Sequence, residues 1–137
     1  MTLPRILDRV LMCALSLAFV SPLHAADSAE TEARAAFTQL VTAAKDHKVD
    51  EFRKLIAAAD LKEMDAMEKE RAGFMEMFMG LIAEGGNPAD YTAQVTANQI
   101  TFEKRVTEKS SSGSGTQTTT VRMVREGNQW KFGKQRP

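Results

Sequence analysis

Few side chains in this sequence could do acid–base, nucleophilic or metal chemistry. The chain has one cysteine, Cys13, two histidines, His24 and His47, one tyrosine, Tyr91, and one tryptophan, Trp130. His47 falls in a charged stretch between two helical patterns, where a histidine is a solvated turn residue rather than a positioned base. Serine-nucleophile elbows, phosphate-cradling glycine loops and two-histidine metal motifs are absent from the sequence. Met64, Met67, Met75, Met77 and Met79 place five thioethers within sixteen residues, a soft donor set of the kind copper(I) selects. Helical spacing separates them, with Met75 and Met79 on one side and Met77 elsewhere, so adaptable packing or contact is the better reading. No metal, cofactor or catalytic residue is expected. Arg71 is the remaining conspicuous side chain. A guanidinium inside an apolar stripe needs a carboxylate partner or a ligand anion, or must snorkel past the core to the surface.

The N-terminus decides which of these residues count. Arg5 and Arg9 precede an uncharged run from Val10 to Val20, and Pro22, Leu23, His24, Ala25 and Ala26 follow. That is the layout of a signal peptide, and the apolar run is well short of the roughly 20 residues a membrane-spanning helix needs. Residues 1–25 are therefore expected to be removed before Ala26 or Asp27, leaving residues 26–137 as one periplasmic domain with no stable membrane anchor. Cys13 lacks the small preceding residue of a lipoprotein signal. Its loss leaves no thiol, so the mature chain forms no disulfide and is held by packing alone.

The elements that position the rest follow from periodicity. Asp27 with Glu30 could cap a first helix running to about Lys45, with Ala33, Phe37, Leu40, Val41 and Ala44 on one face. Asp50 opens a short second helix carrying Phe52, Leu55 and Ile56. A long third helix is expected from Asp60 to about Ala83, its stripe formed by Met64, Met67, Arg71, Phe74, Met75, Phe78, Leu81 and Ile82, with Met77 and Met79 on the flanks. Gly85, Gly86 and Pro88 stop it. From Tyr91 the period becomes two. One long strand bent near Asn98 is expected to reach Val106, followed by a flexible hairpin loop at Ser110–Gly115, a strand over Thr118–Arg125, a tight turn at Glu126–Asn128 and a last strand with Trp130 and Phe132. The fold class is thus α+β, two short helices and one long one on a curved antiparallel sheet of three to four strands. From Asp27 to Asp90 fourteen acids face eight bases, about −6, while from Tyr91 to Pro137 three acids face eight bases, about +5. Helix and strand preferences account for most of this asymmetry. The bases are not interleaved with stacking aromatics, which argues against nucleic acid.

Three helices followed by a meander that ends in Gly127, Asn128, Gln129, Trp130, Lys131 and Phe132 resemble the nuclear transport factor-like (cystatin-like) superfamily, over Asp27 to Lys134. The likeness is greatest to small exported bacterial members, whose second helix opens on an acid and an aromatic, as Asp50 and Phe52 do here. The resemblance implies a cone in which the sheet wraps the long helix, with a pocket at its wide end near Arg71, Tyr91 and Trp130. Ketosteroid isomerase-like enzymes of that superfamily use a carboxylate base with a tyrosine that donates to an oxyanion, but here no acid lies among the apolar-face strand residues to serve Tyr91. Protein binding is the expected role, with Met77 and Met79 as contact residues. The partner is a second copy or an exported toxin or hydrolase that this domain inhibits. The alternative is a small apolar or anionic ligand in the cone.

Overall fold

The structure, a computed structural model, describes residues 22–134, the first four by backbone only. Of the expected leader, residues 1–25, residues 1–21 lie outside the described residues, and the last four are described by backbone alone, at the start of the first helix. Among the described residues four helices come first: α1 (Pro22–Lys45), α2 (Val49–Lys54), α3 (Ala58–Glu70) and α4 (Phe74–Glu84). After a single 3-10 turn at Pro88–Asp90 come β1 (Thr92–Val95), β2 (Gln99–Ser110), β3 (Gly113–Glu126) and β4 (Gln129–Phe132). The strands form one curved antiparallel meander in the order β1-β2-β3-β4.

The helix at the centre is α1, not the third. Its expected stripe, Ala33, Phe37, Leu40, Val41 and Ala44, is buried throughout, and it packs against α4, α2, β4 and the start of β1. The sheet meets it with one face. Phe102 opposes Val121 and Ile100 opposes Met123 in the β2–β3 ladder, and all four are buried with Trp130. This is the alternation that period two requires of a half-covered sheet.

The expected long helix is two helices. Arg71 ends α3 in an extended conformation, and Gly73 takes φ +86°, a left-handed geometry that glycine adopts without steric cost. Glycine offers α4 no capping side chain. Glu68 supplies it instead, accepting from the Gly73 N–H at 3.0 Å and the Met75 N–H at 2.8 Å. Its carboxyl is held below the ordinary glutamate range, first by the Met75 N–H and then by that of Gly73. A depressed folded-state value means that the stabilisation is complete above the unfolded value, about 4.3, and is lost as pH falls through the lower folded one. Glu68→Ala should therefore lower the melting temperature at pH 7. Thermal melts should show its gap to wild type closing as the pH is taken below about 4.

The other expected caps are also displaced. α3 begins two residues before Asp60 and is capped by Glu126, whose carboxylate accepts from the Ala58 N–H at 2.9 Å. Asp60 is buried within the first turn and accepts from the Lys134 N–H at 3.2 Å. α2 begins at Val49, ahead of Asp50, and Asp27 lies inside α1. In the sheet, Thr96–Asn98 separates two strands where one bent strand was expected, with Val95 opposite Ile100. The serine-rich loop is a two-residue turn, since Ser110 pairs with Gly113 and the ladder continues on both sides. The free edge of β4 is covered by the chain between α2 and α3, where Phe132 donates to Leu55 O and Ala57 donates to Phe132 O, both at 2.8 Å.

Candidate functional site

Among the described helices α4 is strongly apolar, Phe-Met-Glu-Met-Phe-Met-Gly-Leu-Ile-Ala-Glu. Helical spacing sends Met75, Met79 and Ile82, at i, i+4 and i+7, into the core. Phe74 and Phe78 stack with ring centroids 6.4 Å apart, and Phe78 also meets Phe52 and Phe132. What remains faces outward. Met77 is 44% exposed and Leu81, one turn on, 59%. Gly80 lies between them, and a Cβ there would meet nothing within 4 Å. A mid-helix glycine costs about 1 kcal/mol relative to alanine, and nothing among the described residues requires one here.

The expected contact pair thus divides. Met77 is on the surface, but Met79 is 2% exposed and belongs to the core. A single helix through Gly73 would place Met79 on a flank, whereas the separate axis of α4 turns it inward with Met75 and Ile82. Leu81, expected in the stripe, is the most exposed of the large apolar side chains among the described residues.

The three expected pocket residues do not meet. Arg71 is exposed at the α3–α4 junction, so no apolar stripe surrounds its guanidinium. Tyr91 enters the sheet at β1, and Trp130 lies on β4, at the opposite side of the sheet. The Tyr91 ring packs edge-on against Phe37 at 5.1 Å, and its hydroxyl donates to Gly85 O at 2.8 Å. Burial first, and then the nearby Asp90, raises its pKa. A phenol held protonated and committed to a backbone carbonyl fastens the end of α4 to the sheet. The arginine that does ride on the core is Arg34, which donates to Pro88 O at 2.6 Å, Tyr91 O at 3.0 Å and the Glu30 carboxylate at 2.7 Å. Its guanidinium lies 4.8 Å from the Phe102 ring centroid. In the sequence Arg34 is one position past Ala33 in the stripe, a placement that gives no hint of these partners.

Trp130 lines a shallow groove of about 490 Å³ between α1, the end of α2 and the β3–β4 turn, beside Glu32, Gln39, Lys54 and Lys131. Its indole Nε1 is buried and has no acceptor among the described residues. His47 is an exposed turn residue at φ 53°. Among the described residues no group of three or more His, Cys, Asp or Glu side chains could hold a metal ion, and no helix is long and apolar enough to cross a membrane. Against protein families, curated proteins and solved structures alike, the chain has no match.

Proposed function

We propose that this chain is an exported, non-enzymatic domain that binds another protein through the outer face of α4. A role as an inhibitor or immunity-type protein toward an exported toxin or hydrolase suits its size and the small set of groups able to do chemistry. The observation that carries the reading is the ridge of Met77 and Leu81 around Gly80. Methionine adapts to a partner's shape, and a glycine beside it lets a partner backbone come close. The signal-like N-terminus supports export to the periplasm, and the helices-then-meander order is compatible with the nuclear transport factor-like resemblance.

Gly80→Ala separates folding from function. It should raise stability by about 0.5 to 1 kcal/mol, because the site is helical and open. It should also weaken partner capture, as should Met77→Gln with Leu81→Gln. Denaturant melts beside capture from periplasmic extract, with the captured protein identified by mass, read both effects. Partner recovery unchanged in all these variants would refute the reading. A small-ligand role stands second, carried by the groove that Trp130 lines and by a buried indole N–H with no acceptor among the described residues. The fluorescence of this one tryptophan reports directly on binding there.

A further inference from the structure

The β2–β3 hairpin runs well past the rest of the sheet. β1 leaves β2 after the Thr92–Glu103 pair, and β4 leaves β3 after the Phe132–Met123 pair. One more bond, from the Gly133 N–H to Arg122 O at 3.2 Å, closes the β4 side. From Arg105 to Thr118 every residue is exposed. Two strands without a third and without a covered face are marginal in water.

The two free edges differ. Arg122 directs its backbone toward the β4 side, while Arg125 N–H donates to Asn98 O at 3.1 Å on the β2 side. Because the direction alternates along a strand, the groups on the β3 edge that no described residue pairs belong to Ser114, Thr116, Thr118 and Thr120. On β2, Gln99 O accepts from the Thr96 N–H at 2.9 Å, so the free groups on that edge belong to Arg105, Thr107 and Lys109. The β2 edge is guarded by two bases of the kind that block strand addition. The β3 edge, Ser-Gly-Thr-Gln-Thr-Thr-Thr-Val over residues 114–121, carries no charge and is rich in β-forming threonine.

We infer that the β3 edge pairs antiparallel with the same edge of a second copy, across a twofold axis at Gln117. Gln117 is the midpoint of the free stretch, residues 113–121, so this register uses all of it. Thr116 then opposes Thr118 of the second copy and Ser114 opposes Thr120, bringing the outward backbone groups of each edge onto those of the other. Threonine pairs are favourable across strands, and no like charges meet. The same operation on β2, centred on Thr107, would set Arg105 against Lys109. Pairing through β3 turns two bare hairpins into a four-stranded arm, and the interface is isologous and closes as a dimer. It does not depend on the α4 reading.

Sedimentation equilibrium of the mature chain tests the inference, taken to roughly 1 mM so that an association with a Kd of about that size is seen. Wild type should show a monomer–dimer equilibrium. Thr116→Lys with Thr118→Lys sets lysine against lysine and should weaken dimerisation at least tenfold, with an unchanged far-ultraviolet spectrum and melt of the monomer. The matching Thr116→Glu and Thr118→Glu chain should also be monomeric, and mixing the two should restore a heterodimer. Met77→Gln with Leu81→Gln should leave the equilibrium untouched, so failure of the α4 reading and failure of this one are distinguishable. A wild-type chain that stays monomeric, a dimer that survives the lysines, or charge-reversed chains that do not recombine would each overturn the pairing.

Discussion

Phe102→Ala should cost about 3 to 5 kcal/mol, enough to leave a domain of this size barely folded. Phe102 has no exposed surface and sits at the middle of the sheet, opposite Ala93 on β1 and Val121 on β3. Its ring lies 5.3 Å from that of Phe37, which in turn holds Tyr91 edge-on. Truncation therefore removes the contact on which α1 rests and opens a cavity that flanking backbone, fixed by the ladder, cannot fill. It also removes the surface under the Arg34 guanidinium, whose bonds to Pro88 and Tyr91 tie α1 to the first strand. With Cys13 as its one cysteine, the chain forms no internal disulfide to offset the loss. Urea unfolding followed by circular dichroism measures it. Phe102→Leu, which keeps most of the volume, should cost no more than about 1.5 kcal/mol. A Phe102→Ala cost below 1 kcal/mol would mean that the α1–sheet packing is looser than described.

What the sequence made legible was local periodicity where one face meets one core. The α1 stripe and the inward pair Ile100 and Phe102 are of that kind, and they carry the α+β class with them. The failures have a common physical cause, which is that the deciding partner is remote or the deciding face is wet. Glu126 caps α3 from the other end of the chain, and no local pattern connects Ala58 to it. Glu68 caps α4 from five residues before Gly73, which is not the spacing of a capping box. The hairpin beyond Lys104 has solvent on both faces, so it lacks the alternation that marks a strand, and its serines and glycines carry the pattern of a longer hairpin loop. Arg34 and Arg71 show the same limit for the site, since an arginine's role depends on carbonyls and carboxylates brought to it by the fold.

The α3–α4 break does leave a mark in the sequence, because Gly73 interrupts the pattern and Met75, Met79 and Ile82 form their own i, i+4, i+7 set. A stripe averaged over both helices hid it. The consequence is a reversal for Met79, and Met79→Gln should cost about 2 to 4 kcal/mol. Glutamine has nearly the same length and shape, so little cavity forms and the loss reports on polarity. Burying an amide without a partner costs about 1 to 3 kcal/mol, and the apolar transfer of the thioether end is forfeited as well. Met77→Gln, on the exposed side of the same helix, should stay within about 0.5 kcal/mol of wild type. The two variants alter the same residue type two positions apart, so helix propensity cancels and burial alone separates them. Chemical denaturation of both, beside partner capture, tells whether α4 has one buried and one open face. If Met77→Gln were as costly as Met79→Gln, α4 would be enclosed on all sides and could offer no face to a partner. If Met79→Gln were as mild as Met77→Gln, Gly73 would not reset the helix, and the contact surface would extend to Met79 as a continuous helix implies.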